Sequence, residues 1–209
     1  MRKAGTTREQ TWTAIREAAI DLIATHGYES FSLRELAERC GIKAGSLYNH
    51  IESKQGLLTT LLESIMLDLL REFEEQVEVL DDPIEQMRAA VRLHILFHTR
   101  RRSEVIIGNT ELRSLSPENY KKVTSLRDHY ENKLRKIVAK GAALGLFHIP
   151  DTKITSFAII AALTGVGYWY RPNDRLSHER LIQIHEQLVM QALGAVHEVA
   201  GAVRTAVCT

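Results

Sequence analysis

The sequence predicts an all-α protein of about nine helices, with an N-terminal three-helix helix-turn-helix domain followed by a larger C-terminal helical domain. Three observations predict this class. Apolar residues recur at helical spacing along most of the 209 residues, and no alternating strand pattern is sustained. Only four prolines occur, each beside polar residues typical of turns. A hydrophobic content of 44% is sufficient for a buried core.

The helices are placed by apolar periodicity together with their capping residues. Ser53, Ser116 and Ser177 are suitable N-caps, and Gly145 is suited to end the long seventh helix. The fourth helix leaves the first unit and continues into the second, so we expect domains of 1–55 and 56–209. The predicted helices are 9–26, 32–39, 43–49, 54–79, 83–100, 103–113, 117–144, 152–170 and 177–200.

The segment from Phe31 to Leu58 carries the most specific signal. Ser32 is a good N-cap with Glu35 three residues later, which is the pattern of a capping box. Gly41 supplies the left-handed backbone of a tight turn. The next short helix is anchored inward by Leu47. This order of helix, glycine turn and helix predicts a helix-turn-helix, which is most often a DNA-binding unit, although packed helix pairs of this kind also occur in other proteins.

The second helix of this motif begins with small side chains. Small residues allow the backbone of a recognition helix to approach base edges in the major groove. Polar side chains that follow can bond phosphates without reading sequence. The small residues are Ala44, Gly45 and Ser46, and the expected phosphate-binding residues are Tyr48, His50 and Lys54.

Residues 18–58, AAIDLIATHGYESFSLRELAERCGIKAGSLYNHIESKQGLL, resemble the DNA-binding domain of the TetR family of transcriptional regulators. The matching features include the His26-Gly27-Tyr28 helix ending, the LYNHI segment and Ser53-Lys54. The resemblance implies a homodimeric all-α repressor whose C-terminal domain binds a small molecule. The residues it implies at double-stranded operator DNA are Ser32, Arg34, Lys43, Ala44, Gly45, Ser46, Tyr48, Asn49, His50 and Lys54.

The last two predicted helices are the expected homodimer surface. Two such helices from each subunit can form a four-helix bundle around a two-fold axis. A two-fold pair of recognition helices reads half-sites about 34 Å apart. The alternative is that these helices only close the core of one subunit. The residues expected to pack are Ile154, Ala158, Ala161, Ala162, Gly165 and Tyr168 on one helix, and Leu181, Ile184, Leu188, Met190 and Leu193 on the other.

A small-molecule pocket is implied by the family resemblance and indicated by polar residues on otherwise apolar helices, a composition typical of ligand sites. The alternative for each residue is a polar group satisfied inside the core. His94 and His98 also have the i, i+4 spacing of a metal pair, but no third ligand is evident, so neither a metal site nor a cofactor is expected. The candidate residues are His94, His98, Asn109, Thr110, Leu126, Tyr130, Thr164, Tyr168 and Trp169.

The run from Thr99 to Ser103 contains three consecutive arginines. Its simplest interpretation is a solvated helix junction. The alternative is an anion-binding lip formed by Arg101 and Arg102, since arginine binds phosphates and carboxylates bidentately. The region 109–130 resembles TetR members that sense fatty acyl or steroid-derived coenzyme A thioesters. An acyl-coenzyme A effector is therefore one hypothesis for the ligand.

Other classes of protein are less well supported. His185 and Glu186 begin like a zinc-protease motif but lack the second histidine, and no phosphate-binding glycine loop is present, so we do not expect an enzyme. A helical protein-binding adaptor remains the alternative. A formal net charge of +1 requires that any DNA affinity come from a local patch. No apolar segment resembles a signal or a membrane span, so we expect a cytoplasmic protein without a membrane partner.

Overall fold

The computed structural model describes residues 8–171 and 175–195, and every regular element within them is helical. This confirms the predicted all-α class. Across these two ranges, no helix is long and apolar enough to cross a membrane. The elements are α1 (Arg8–His26), α2 (Leu33–Arg39), α3 (Ala44–Leu47), α4 (Lys54–Gln76), α5 (Pro83–Arg100), α6 (Arg102–Thr110), a 3-10 turn (Glu111–Ser114), α7 (Pro117–Ala143), α8 (Thr152–Trp169) and α9 (His178–Ala192).

Side-chain caps fix where most of these helices begin. Ser53, Ser116 and Ser177 each accept a hydrogen bond from the backbone N–H three residues ahead, as predicted. Asp82 and Asp151 do the same at the starts of α5 and α8. Each cap satisfies a donor that has no partner within its helix, which defines the start of that helix.

The first three helices and the beginning of α4 bury one part of a hydrophobic core that continues into the rest of the molecule. Leu22 of α1, Leu36 of α2 and Leu47 of α3 are fully buried, and Leu57 and Leu58 from the beginning of α4 are buried with them. The long α4 then continues into the second part of the molecule, where it packs on α7. One continuous helix therefore connects the helix-turn-helix to the larger helical unit.

In the larger unit, α5 is the central helix and packs against α4, α7, α8 and α9. Its buried residues include Met87, Val91 and Ile95, and they also include the polar side chains His94 and His98. Polar groups in such a position require hydrogen-bond partners, because burying them unpaired costs free energy. Their partners line an internal cavity described below.

Four predicted helix ends were wrong by two residues or more. The helix predicted to reach residue 79 ends at Gln76. The recognition helix extends only over Ala44–Leu47, and residues 48–50 form a turn. The helix that begins at Arg102 ends at Thr110 and passes into a 3-10 turn. The last helix ends at Ala192, because Gly194 has a φ of +57° and the Ala195 N–H bonds to the Met190 carbonyl, which closes the helix end. Residues 196–200 of that prediction lie outside the described residues.

The predicted packing face of the last helix was also partly wrong. Leu181, Met190 and Leu193 are buried within the subunit, where they serve the core. Leu188 is 54% exposed and Ile184 is half-buried. On α8, by contrast, Ile154, Ala158, Ala161, Ala162 and Tyr168 are exposed and Gly165 is half-buried, so this face is available for packing outside the subunit.

Candidate DNA-binding surface and internal cavity

The turn between α2 and α3 is closed by backbone hydrogen bonds. Ser32 Oγ accepts from the Glu35 N–H at the start of α2, and α2 ends at Arg39 with Cys40 as its C-cap. Gly41 has a φ of +66°, and the Ile42 N–H bonds to the Ala37 carbonyl at 3.0 Å. This six-to-one bond reverses the chain sharply, and the left-handed position favours glycine. The turn therefore holds α3 in a fixed orientation against α2.

The short α3 presents its predicted contact residues outward. Leu47 is fully buried and anchors the helix, while Lys43, Ala44, Gly45 and Ser46 are exposed. Apart from the adjacent residues and the backbone of its own helix, no described atom lies within 4 Å of a Cβ built on Gly45. The space above this glycine is open, so a partner's backbone or base edge can approach closely.

The other predicted contact residues surround α3. Ser32, Arg34 and Asn49 are exposed, His50 and Lys54 are half-buried, and the Tyr48 ring is 58% exposed. Arg34 forms an i, i+4 ion pair with Glu38 on the outer face of α2. All ten predicted DNA-contact residues are therefore exposed or half-buried within the helix-turn-helix and the beginning of α4.

Lys54 has contacts that the sequence did not predict. Its Nζ donates to the Glu29 carbonyl at 3.1 Å and lies 4.7 Å from the ring centroids of both Tyr28 and Phe31. An ammonium group has three N–H donors, so the hydrogen bond to the Glu29 carbonyl leaves the remaining donors for an anion such as a phosphate. The aromatic rings hold this charge in place at the beginning of α4.

Two polar networks join the helix-turn-helix to the larger unit, and the sequence predicted neither. Gln55 donates to Tyr28 Oη and to the Ser114 carbonyl, and its Oε1 accepts from the Ser116 N–H. Arg16 of α1 contacts Glu104 of α6 at 2.5 Å. Because their partners are distant in sequence, no local pattern could identify them.

Arg101 belongs to the second network. Its guanidinium lies 2.8 Å from Asp68 and 2.5 Å from Glu104, and it stacks over Phe97 at 4.6 Å. Glu104 is therefore shared between two guanidinium groups, those of Arg16 and Arg101. The network joins α1, α4 and α6.

An internal cavity of about 230 Å³ lies between α4, α5, α6, α7 and α8. Most of its wall is apolar, and α4 contributes four side chains to it. Five predicted ligand residues, His94, His98, Asn109, Tyr130 and Thr164, do line this cavity. The lining residues are Leu62, Ile65, Met66, Leu69, His94, Phe97, His98, Val105, Gly108, Asn109, Val123, Arg127, Asp128, Tyr130, Glu131, Phe157, Ile160 and Thr164.

Six predicted ligand residues do not line the cavity. Arg101 is engaged by Asp68 and Glu104, and Arg102 Nη2 donates to the Tyr168 carbonyl. Thr110 bonds to the Ile106 carbonyl of its own helix, and Leu126 is a half-buried residue packed on the core. Tyr168 and Trp169 are exposed on α8. The expected arginine lip at 101 and 102 is thus not part of this cavity.

A chain of hydrogen bonds crosses the polar part of the cavity wall. His94 Nδ1 lies 2.8 Å from Tyr130 Oη, and His94 Nε2 lies 3.1 Å from Thr164 Oγ1. Burial, with a smaller contribution from His98, lowers the pKa of His94 well below its ordinary value. Burial also raises the pKa of Tyr130. Both groups are therefore neutral near pH 7.

His98 stacks on His94 with ring centroids 3.9 Å apart and an interplanar angle of 11°. Its Nδ1 lies 2.8 Å from the His94 carbonyl oxygen. Burial lowers the pKa of His98 to about 4, and the positive charge of Arg127 makes a smaller contribution in the same direction. The hydrogen bond to the His94 carbonyl raises this pKa but does not offset the effect of burial. Both ring nitrogens of His94 are engaged, and among the described residues no group of three His, Cys, Asp or Glu is arranged to hold a metal ion.

Arg127 is the arginine that lines the cavity. It was not among the predicted ligand residues, although Val123, Arg127 and Tyr130 share one helical face. Its Nη2 donates to the Gly108 carbonyl at 2.5 Å and to Asn109 Oδ1 at 3.2 Å, while its Nε is buried without a hydrogen-bond partner in the described ranges. Burial lowers its pKa. A buried guanidinium without a paired carboxylate favours an anionic or oxygen-rich neighbour.

Comparison with known proteins identifies both parts of the chain. Residues 15–61 match the family model described as "Bacterial regulatory proteins, tetR family", and residues 80–193 match the model described as "Tetracyclin repressor-like, C-terminal domain". The chain is 25% identical over 188 residues to the HTH-type transcriptional repressor KstR2 of Mycolicibacterium smegmatis, covering 88% of this chain and 90% of that one.

Two further relatives are similar to the chain. It is 24% identical to the fatty acid metabolism regulator protein of Bacillus subtilis, covering 63% of this chain and 68% of that one. The solved structure of AibR in complex with isovaleryl coenzyme A and operator DNA matches with a TM-score of 0.76 and 30% identity. That match covers 89% of this chain and 100% of the AibR chain.

Proposed function

The chain belongs to the TetR family of bacterial regulatory proteins and is a ligand-responsive, DNA-binding transcriptional regulator, and we propose that it represses its targets as a homodimer released by an acyl thioester. In this proposal the dimer binds a near-palindromic operator in the cytosol. The protein acts by occupying DNA rather than by catalysis.

The observation that carries the proposal is the exposed recognition surface of α3. An apolar anchor, Leu47, is buried, while small side chains and the open Gly45 face solvent. The Tyr48 ring and Lys43 lie at the edges of this surface, where they can reach phosphates. A merely structural helix pair does not need this combination of small exposed residues and flanking polar groups.

The homodimer is supported by the exposed apolar face of the last two helices. Ile154 is 64% exposed, Trp169 52% and Leu188 54%. The alanines of α8 on the same face allow close helix packing. Large apolar groups clustered with small ones on one surface are typical of an interface. A two-fold pair through this face places two α3 helices for two half-sites.

Release by ligand is supported by the way the cavity contacts the elements that hold the helix-turn-helix. Leu62, Ile65 and Met66 of α4 form part of the cavity wall, and the beginning of the same helix lies in the DNA-binding unit. On α6, the Gly108 carbonyl accepts from Arg127, and Glu104 binds Arg16 of α1. A ligand that displaces α4 or α6 therefore changes the position of the helix-turn-helix.

An acyl thioester suits the cavity in size and chemistry. The apolar wall accepts a hydrocarbon group, and Arg127 provides a cation for a polar or anionic part. A volume of about 230 Å³ is below the roughly 300–1,000 Å³ of sites for drug-sized ligands, so it suits a short acyl group. The AibR complex with isovaleryl coenzyme A supports this ligand class for a relative of similar length.

The experiment that tests the proposal is selection of bound fragments from genomic DNA by the purified protein, followed by titration of the enriched sequence. We expect a sequence with two-fold symmetry. Tyr48→Ala and Lys54→Ala should weaken binding to every DNA sequence, and Lys54→Ala should lower the salt slope by about one. Lys153→Ala, an exposed lysine on α8, is the matched control. Failure to enrich any sequence contradicts the proposal.

A further inference from the structure

The tautomer of His98 is fixed by its contact with the backbone. A carbonyl oxygen only accepts hydrogen bonds, so the 2.8 Å contact between His98 Nδ1 and the His94 carbonyl places the hydrogen on Nδ1. The buried ring, stacked on a second imidazole, is neutral. Its Nε2 therefore carries a lone pair and no hydrogen. Among the described residues nothing donates to this nitrogen, and His98 lines the cavity.

The direction of the neighbouring hydrogen bonds follows from Tyr130. The buried phenol has one hydrogen-bond partner in the described part of the chain, His94 Nδ1, and donation to that nitrogen satisfies the phenol hydrogen within the protein. Neutral His94 then carries its hydrogen on Nε2 and donates to Thr164 Oγ1 at 3.1 Å. The hydroxyl hydrogen of Thr164, which lines the cavity, remains available as a donor.

The cavity therefore presents an acceptor, His98 Nε2, and a donor, the Thr164 hydroxyl, and both residues contact the His94 ring. His98 stacks on the His94 ring, and Thr164 bonds to its edge. A saturated hydrocarbon chain placed here would leave both groups unpaired, and each unpaired buried group costs free energy. Binding sites that hydrogen-bond a ligand's hydroxyl group bind analogues without that hydroxyl much more weakly.

We propose that the effector carries a hydroxyl group inside this cavity, which donates to His98 Nε2, and an oxygen that accepts from the Thr164 hydroxyl. This proposal rests on the proposed function in one respect, which is that the effector binds in this cavity. Its chemical content is that a hydroxylated acyl group is preferred over the matching saturated one. His98 and Thr164 are the residues that determine this specificity.

The first test is the tautomer of His98, measured by two-bond proton–nitrogen correlation on the full-length protein labelled with nitrogen-15. We expect an Nε2 signal with the shift of an unprotonated nitrogen at about pH 7. A His98 ring protonated on Nε2 would present a donor instead and would overturn the proposal. This measurement depends on neither DNA nor thioester.

The second test uses two small isomeric probes, 1-hexanol and methyl pentyl ether, titrated into the same labelled protein. Both contain an oxygen acceptor, but only the alcohol has a donor. We expect the alcohol to bind about fivefold more tightly, as one neutral hydrogen bond provides, and to move the His98 Nε2 resonance. Equal affinities, or a preference for the ether, contradict the proposal.

Variants separate the two sides of the site. Thr164→Val keeps the shape of the side chain and removes the donor, so it should weaken both probes. His98→Phe should abolish the preference for the alcohol, and its folding is checked by its circular dichroism. Thr110→Val is the control, since Thr110 bonds within its own helix and does not line the cavity.

Operator release distinguishes this inference from the proposed function. We expect 3-hydroxyhexanoyl coenzyme A to release operator DNA at about tenfold lower concentration than hexanoyl coenzyme A. Equal potency of the two overturns the hydroxyl preference and leaves the thioester effector intact. If neither thioester releases DNA while 1-hexanol is preferred over the ether, the thioester proposal fails and the hydroxyl site stands.

Discussion

Removing the charge of Glu104 should weaken the coupling between the cavity and the DNA-binding unit. Glu104 lies between Arg16 and Arg101, with both guanidinium groups at 2.5 Å, and the Arg16 and Glu104 side chains are only 22% and 14% exposed. Glu104→Gln keeps the shape of the side chain. Among the described residues it leaves the two arginines with Asp68 as their remaining counter-ion, at 3.9 Å from Arg16 and 2.8 Å from Arg101.

The magnitude follows from the burial of this network. Hydrogen bonds to charged groups contribute about 1.5–3 kcal/mol, and breaking a fully buried pair costs roughly 3–5 kcal/mol. Because the network is partly exposed, we expect the free energy of unfolding to fall by about 2 kcal/mol. We also expect the coupling between ligand and operator to fall by about 1 kcal/mol, which is roughly fivefold in affinity ratio.

Two assays measure these quantities. Urea unfolding gives the free energy of unfolding, and fluorescence anisotropy gives the operator affinity with and without 3-hydroxyhexanoyl coenzyme A. Glu118→Gln is the control, because its ion pair with Lys122 is exposed and should contribute under about 0.5 kcal/mol. If Glu104→Gln leaves the ratio of the two affinities unchanged, α6 does not transmit the signal through Arg16.

Three other changes test separate parts of the account. Gly45→Ala should leave the melting temperature equal or slightly higher, because a Cβ there meets no described atom beyond the adjacent residues and its own helix backbone. It should still weaken operator binding at least about tenfold by blocking close approach. Burial in the folded protein lowers the pKa of His98 from 6.5 to about 4, so folding favours the neutral form of this imidazole. The unfolded chain binds more protons between these pH values, so stability rises with pH across this window. The contribution is about 3 kcal/mol at neutral pH, is lost as pH falls towards 4, and is measurable by urea unfolding of the parent and His98→Phe. Ile154→Glu should shift the solution mass from dimer to monomer in light scattering, without lowering the helix content; an unchanged mass excludes this face as the interface.

Sequence patterns predicted the helices well where local chemistry determines them. The starts of α4, α5, α7 and α8 were predicted to the residue, because N-cap and proline signals act over three or four residues. The turn at Gly41 was likewise predictable, since a positive φ favours glycine. The early end of α9 was signalled by Gly194, but apolar residues continue after this glycine in the sequence and favoured a longer helix.

The cavity was predictable only in part, for a physical reason. Polar residues on apolar helix faces, such as His94 and Thr164, indicate buried hydrogen bonding, and these residues do line the cavity. Which partner each one meets depends on how α5, α7 and α8 pack. The position of Arg101 shows the limit, because a run of arginines suggested an anion site and the fold supplied Asp68 and Glu104 instead.

Arg127 shows the opposite case. Its charge suggested a surface residue, but the helical face it shares with Val123 and Tyr130 points inward, and the Gly108 carbonyl receives its guanidinium. Long cationic side chains can extend along apolar walls, so sequence alone does not locate the charged end.

The central claim is that one dimer binds a two-fold operator and releases it when the cavity is filled. Native mass spectrometry of the protein with its selected operator duplex measures this directly, before and after addition of 3-hydroxyhexanoyl coenzyme A. We expect two chains on the duplex, and then free DNA with free dimers that carry the added mass of the thioester. A monomer on the duplex, or dimers that take up the thioester and stay bound to the DNA, would contradict it.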